Sequence, residues 1–441
     1  MSGYSPLTLA LTGDSMITRR VSPSVDALVR QLIEQIRGAD VAFTNLEVLP
    51  NNFRGYPAQE SGGTHLAAHS WIVDDLAEMG FDLFAAATNH ALDYSIEGLL
   101  ATLKVLETKG VTYAGIGRNL AEARMPAYLD TAAGSLALIS CCSTFAKGQQ
   151  AGEQRPDMPG RPGLNPIRFT TTFEITSDQM EAVQGIARSL GIEQQRQERL
   201  RFGADFSPDD PEIFPFRETN FKVGAEPATS TAPNTKDRDA IAIWVREARA
   251  RADLVVVSLH AHEQGATKED PAEFIPVFAH GMIDEGADLV VGHGPHLLRG
   301  MEIYQGKPIF YSLGNFIAQN DLVYKLPADT YERFRVDPSK TPSEIGRSRS
   351  QGDTRGFPVD KRYWQTVMPI CRFEGRALRE IELLPVALGF GQPSYQRGRP
   401  RLAQGAEATG ILERFAELSQ RFGTKLTIHE DRAAVAITPR T

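Results

Sequence analysis

The stretch Asp288-Leu-Val-Val-Gly-His-Gly-Pro-His296 decides the fold. Its apolar run, Leu289 to Val291, has the length and β-branching of a buried strand. The run empties into Gly292-His293-Gly294-Pro295-His296. Two imidazoles three residues apart at a strand end can converge on one point, and neutral imidazole is the commonest protein metal ligand. Alone, the turn reads equally well as two solvated loop histidines. The other strand ends choose between these readings.

Strands and helices alternate towards this stretch. Leu7–Thr12 reads as a strand ending in Gly13-Asp14, followed by a helix over Ser22–Arg37 with Ser22 or Ser24 as N-cap. Val41–Thr44 is a second strand and ends in Asn45-Leu46-Glu47. Trp71–Met79 is a helix, and Leu83–Ala86 is a third strand that ends in Thr88-Asn89-His90. Asp93 leads a helix through Leu106; Val111–Ala114 and Leu136–Ser140 are further strands. The pattern resumes with a helix over Lys236–Arg251, a strand Leu254–Ser258 ending in His260-Ala261-His262-Glu263, and a helix over Ala272–Asp284. Met301–Tyr304 and Lys307–Tyr311 form a hairpin. This alternation predicts an α/β fold with a largely parallel sheet and helices on its faces. Such sheets collect ligands at the carboxyl ends of their strands.

Two stretches break the rhythm. Residues 145–235 hold a Gly/Pro/Arg/Gln-rich segment, a long helix over Ser177–Leu200 and a proline-rich, aperiodic segment to Pro233; they are expected to form a lid. Residues 319–362 are a second, polar insertion. The expected division is a catalytic domain over 1–318, that insertion, and strands and a helix over 363–441 that complete the sandwich. With 47 basic against 55 acidic residues, the net charge is −8, and no basic stripe with interleaved aromatics occurs. Nucleic acid is therefore not an expected partner. Three cysteines, two of them adjacent, make no disulfide framework. The first residues carry neither a signal-peptide pattern nor a membrane span, so a cytoplasmic location is expected.

The strand ends gather Asp14, Asn45, Glu47, Asn89, His90, His260, His262, Glu263, His293 and His296. Carboxylates, amide oxygens and imidazoles on one sheet edge suit a divalent cation. The chain resembles the bacterial capsule-synthesis (CapA, poly-γ-glutamate) family of the calcineurin-like metallophosphatase superfamily. The resemblance rests on Gly13-Asp14-Ser15-Met16, Asn45-Leu46-Glu47, Asn89-His90 with Asp93, His260, Gly292-His293-Gly-Pro-His296 and Tyr311-Ser-Leu-Gly-Asn-Phe316. It spans roughly residues 5–145 and 236–318, and implies a four-layer αββα sandwich with a site for one or two ions of Mn, Zn, Fe or Ca.

Carried over by position, the resemblance places Asp14, Glu47 and His296 around one ion. It places Glu47, Asn89, His260 and His293 around the other, with Glu47 bridging. His90 becomes the acid/base group, and Asp93 either orients it or caps the helix. Met16 stands where the superfamily has a histidine; a thioether is a poor ligand for such ions, which weakens one position and leaves His296 free to carry protons. His262 stands where the family usually has glycine, either as a further acid/base group or as a support for a ligand. Asn45, Glu263, Arg299 and Asn315 are expected to contact substrate. The family's link to poly-γ-glutamate implies a peptide-like or anionic small substrate. The expected chemistry is amide hydrolysis or proton removal at Cα, since relatives include lasso-peptide epimerases. Phosphomonoester or phosphodiester hydrolysis and a non-catalytic assembly role are the alternatives.

Overall fold

Every residue of the strands Leu254–His260 and Leu289–His293 is buried, as strands covered on both faces require. They belong to a computed structural model that describes residues 6–437. Residues 1–5 and 438–441, the ends of the first and last expected segments, lie outside the described residues.

One sheet has six strands, in the order Leu298–Tyr304, Lys307–Leu313, Leu289–His293, Leu254–His260, Gly134–Cys142, Ala127–Thr131. Its interior pairs are parallel, and antiparallel pairs close both edges. The other has ten strands. Its parallel part runs Pro6–Met16, Val41–Asn45, Leu83–Ala85, Thr112–Ala114, and Asn315–Ala318 pairs parallel with the end of the first strand. The C-terminal hairpin, Gln365–Glu374 with Ala377–Ala387, extends this sheet antiparallel from Pro6–Met16.

Side-chain alternation along each strand explains the layers. Leu9, Leu11, Val41, Phe43 and Leu83 meet Leu136, Leu138, Leu254, Val256, Leu289 and Val291 of the other sheet in one apolar core. The helix Gly405–Gln420 closes that core with Ile411, Leu412, Phe415 and Leu418. The alternate residues of the larger sheet, such as Ala10, Ala42 and Phe84, pack under the helices Ala27–Arg37, Trp71–Met79 and Ser95–Lys109. Those of the smaller sheet, such as Ile139, Val255 and Val257, pack under Thr235–Arg251 and Phe274–Asp284. No helix among the described residues is long and apolar enough to cross a membrane.

Several local expectations are corrected. The first helix starts at Ala27, and its N-cap is Asp26, whose carboxylate accepts from the N–H of Leu28 (2.8 Å) and Val29 (3.3 Å). Ser22 instead donates its hydroxyl to Asp75 (2.7 Å) and Glu78 (2.8 Å). Residues 145–235 are not mainly loop. They hold a four-stranded sheet, in the order Phe214–Phe216, Thr219–Val223, Phe169–Ile175, Ala228–Pro233. The prolines mislead there because Pro215 and Pro233 sit in the two edge strands, where a missing N–H costs no ladder bond. The expected long helix is broken at Gly191 (φ 70°) into Ser177–Ser189 and Ile192–Arg201. The second insertion carries helices Ala328–Phe334 and Pro342–Arg349.

Gly13 allows the first strand to pass under the loop at Gly314, where the Asp14 N–H donates to the Gly314 carbonyl at 2.8 Å. A Cβ on Gly13 would lie 1.9 Å from that carbonyl oxygen. Gly13→Ala is expected to lower stability by ~1–3 kcal/mol. Thermal denaturation checks this, and an unchanged midpoint would show that the strand end is free to shift.

Candidate metal centre

Strand register assembles the polar residues. In the smaller sheet, the parallel ladder sets His260 opposite His293 and Cys142. In the larger sheet, Asp14 stands opposite both Asn45 and Asn315, and Asn45 opposite Ala85. The carboxyl edges of the two sheets thus bring their last residues together, and the turns after them add Glu47, Asn89, His90, His262 and His296. Gly294, at φ 113°, lets the chain turn between the two histidines. A Cβ there would meet the His262 ring at 2.9 Å.

Glu47 is the hub. Its carboxylate is fully buried, with Oε1 3.7 Å from His260 Nε2 and 3.8 Å from His90 Nε2, and Oε2 3.8 Å from His296 Nδ1. Asp14 is equally buried; its oxygens lie 3.5 Å from His296 Nδ1 and 3.9 Å from His293 Nδ1. Asn45 donates to Asp14 Oδ1 at 2.8 Å and lies 3.2 Å from His260 Nδ1. The Nε2 atoms of His260 and His262 are 3.1 Å apart. Two nitrogen ligands of one tetrahedral ion stand roughly 3.3 Å apart. Two groups, Asp14 with Glu47 and His296, and Glu47 with His260 and His262, each place their ligand atoms within 4.8 Å of one another.

The electrostatics fit a cation. Burial depresses the imidazolium form of His260 to a pKa of about 3 and of His293 to about 4, so both rings are neutral near pH 7, as ligation requires. Burial also holds His262 well below its ordinary value. Burial pushes Glu47 well above the carboxylate range, reinforced by the charges of Asp14 and Asp93. Burial would raise Asp14 too, but the surrounding imidazoles, His296 first and then His260 and His293, overcome it and hold this carboxyl low. Among the described residues, eleven buried side-chain polar atoms lack a partner. Six are here: Asn45 Oδ1, both oxygens of Glu47, Asn89 Oδ1 and both nitrogens of His293. Orphaned acceptors gathered at one point are what a metal ion satisfies.

Of the residues expected to bind metal, Asp14, Glu47, His260, His293 and His296 are brought together and His262 joins them, while Asn89 donates to the Gly62 carbonyl at 3.3 Å and keeps its Oδ1 unpartnered. Asp93 is no helix cap: the helix Ser95–Lys109 starts after Tyr94, and the Asp93 carboxylate accepts from His90 Nδ1 (2.7 Å) and the Leu66 N–H (2.7 Å). The four residues expected to contact substrate are held elsewhere. Arg299 is fully buried and donates to the backbone carbonyls of Lys268, Ala261, His262 and Glu263, so its guanidinium pins the His262 loop. The Glu263 carboxylate accepts from Ser143 (2.6 Å) and Thr144 (2.8 Å). Asn315 accepts from His296 Nδ1 (2.9 Å) and donates to the Tyr363 carbonyl (3.0 Å), which orients His296. Asn45 is occupied by its hydrogen bond to Asp14 Oδ1 (2.8 Å). His65 and His280 pack away from the cluster, against Ala58 and Glu302.

A cleft of about 350 Å³ opens over the site, reached by His90, His262 and His296. Its walls include Lys268, Arg349, Phe357 and Tyr363, none of which carries a motif that sequence reading would single out. Arg349 and Phe357 come from the second insertion, and no lining residue comes from 145–235, where a lid was expected. Gly62 and Gly63 also line the cleft.

The sequence matches the family described as bacterial capsule synthesis protein PGA_cap over residues 8–320. It is 34% identical over 441 residues to the uncharacterized protein y4sH of Sinorhizobium fredii, covering 97% of this chain and 92% of that one. It is 24% identical over 318 residues to the capsule biosynthesis protein CapA of Bacillus anthracis, covering 70% of this chain and 59% of that one. It is also 24% identical over 347 residues to the PGA biosynthesis protein CapA of Bacillus subtilis, with 75% and 71% covered.

Arg299→Lys keeps the charge but loses the fork that reaches several carbonyls at once. It is expected to cost ~1–3 kcal/mol through unsatisfied backbone carbonyls. Amide hydrogen exchange should speed up in residues 261–268. Unchanged exchange there would show that Arg299 does not hold this loop.

Proposed function

The chain belongs to the bacterial capsule synthesis (PGA_cap) family, and on that premise we propose that it is a metal-dependent enzyme acting on an anionic, peptide-like substrate of γ-glutamyl type. The observation that carries this reading is Glu47, a buried carboxylate without a hydrogen-bond donor, set among three imidazoles. Asp14, Glu47 and His296 would hold one ion, and Glu47, His260 and His262 the other, with Asn89 and His293 completing the set. Helix, sheet, sheet and helix layers with a polar site at the strands' carboxyl ends agree with a calcineurin-like metallophosphatase sandwich. A divalent ion held there supplies Lewis acidity towards a substrate oxygen.

The chain's own groups define the rest. The Asp93 carboxylate keeps the His90 proton on Nδ1, which turns Nε2 towards Glu47 and the cleft. A ring fixed in that tautomer can take or give a proton at Nε2. Arg349 and Phe357 of the second insertion line the cleft, and Lys268 and Arg349 offer positive charge to substrate carboxylates. The two Bacillus relatives are described by capsule and PGA biosynthesis, which agrees with a substrate rich in carboxylates. Acid/base chemistry beside a polarised carbonyl serves amide hydrolysis or removal of the Cα proton. One observation favours phosphoester hydrolysis as a second reading: both candidate ligand groups share Glu47, as two ions clamping a phosphoryl group would require.

Metal-free protein is expected to take up manganese, zinc or iron, at one or two ions per chain, and Glu47→Gln to abolish the uptake. Turnover of a γ-glutamyl peptide should fall about 10²–10⁴-fold in His90→Ala. Deuterium appearing at Cα in D2O would mark proton abstraction, a freed amine would mark hydrolysis, and turnover of an aryl phosphate would mark the second reading. Failure of the metal-free protein to bind any divalent ion would overturn the enzyme reading in all its forms.

A further inference from the structure

A separate pocket of about 380 Å³ lies beside the segment that follows the strand Asn315–Ala318, lined by Arg19, Gln319, Tyr395, Arg397 and Arg399 among others. Its polar groups are mostly donors. Gln319 accepts at Oε1 from the backbone N–H of Thr18 (2.8 Å) and Arg19 (2.7 Å), which fixes the carboxamide and leaves its NH2 group as the free end. Arg397 is 7% exposed; its terminal nitrogens are taken by Asp321 and Asp353 at 2.7 Å, while its Nε–H has no partner. Arg19 lies over the Tyr324 ring at 4.0 Å, and neither Arg19 nor Arg399 has a carboxylate partner among the described residues.

The backbone is built for this arrangement. Gly398, at φ 80°, separates the two arginines, and a Cβ there would lie 1.9 Å from the Ala318 carbonyl oxygen. The Ala318 N–H donates to the Gly398 carbonyl at 2.9 Å, and the Gly398 N–H to the Leu388 carbonyl at 2.7 Å. Arg397 and Arg399 are therefore fixed to the strand that begins with Asn315. Asp321 and Asp353 already neutralise Arg397, so the net positive charge of the pocket comes from Arg19 and Arg399. Paired donors with an unanswered, buried N–H leave an acceptor missing.

We propose that this pocket is a second, metal-independent binding site for an oxyanion, a carboxylate or phosphate group held by Arg19, Arg399, Gln319 and the Arg397 Nε–H. Guanidinium forks match both groups in geometry. The site is distinct from the metal cleft, since the two share no lining residue: Gln319 faces this pocket and its neighbour Asn320 faces the cleft.

The test uses the full chain, titrated calorimetrically with inorganic phosphate and, separately, with glutarate, for wild type, Arg399→Ala and Arg19→Ala. Both substituted residues lie outside the metal centre. Millimolar binding is expected in wild type and about tenfold weaker binding in each variant, with metal uptake unchanged. Glutarate alone binding would identify the source as a carboxylate, phosphate alone as a phosphate, and either pattern supports the site. Absence of binding by both anions, or equal affinity in wild type and both variants, would overturn it. Because the metal content is read in the same samples, loss of this site and failure of the metal reading are told apart.

Discussion

Two carboxylates, Asp14 and Glu47, are fully buried where the carboxyl edges of two sheets meet, and no lysine or arginine among the described residues pairs with either. Taking even one such charge out of water costs several kcal/mol after relaxation. The imidazoles answer this only in part: they hold the Asp14 carboxyl low, while burial keeps His260 and His293 uncharged near pH 7 and pushes Glu47 towards its neutral form. A divalent cation at its centre would stabilise both carboxylates in their charged form. Much of the surrounding architecture serves to hold six or seven side chains within reach of that point.

Precision of this kind comes from partners on neighbouring elements rather than from the ligands' own loops. His90 is set by Asp93, and Asp93 in turn by the Leu66 N–H. His296 takes φ 63°, a conformation costly for a side chain of its size, and is kept there by Asn315 from an adjacent strand. The His293 ring stacks on Phe43 of the opposite sheet, with centroids 5.5 Å apart, so the core between the sheets also supports the site. His262 stands on a loop whose carbonyls are gathered by Arg299. Arg299 and Asn315, which the sequence offered as substrate contacts, take part in this positioning.

That exchange of roles shows what sequence could and could not reveal. The alternation of strands and helices was legible because burial imposes periods of 2 and 3.6 residues on local composition. The candidate metal cluster was legible because parallel strands deliver their ends to one edge, so polar residues after apolar runs must meet. Positioning residues were not legible, because their partners are remote in sequence: Arg299 reaches back more than thirty residues to Ala261 and Lys268, and Asp93 nearly as far to Leu66. The 145–235 region misread for a different reason. Prolines in edge strands break no ladder, so a rule that treats proline as an interruption hides the sheet they belong to.

The family match ends at residue 320, and this boundary divides the site in a physically meaningful way. Every residue proposed to hold an ion lies before it, as do His90 and Asp93. Arg349, Phe357 and Tyr363, which wall the cleft, lie beyond it. Arg397 grips Asp321 and Asp353, and Arg349 donates to Thr64 across the mouth at 2.7 Å, so the second insertion is fastened on both sides of the opening. The candidate metal clusters are built from strand ends inside the matched region. Most of the cleft wall, Lys268 included, also lies inside the matched region, and Arg349, Phe357 and Tyr363 add one further charge and two aromatic rings from beyond it.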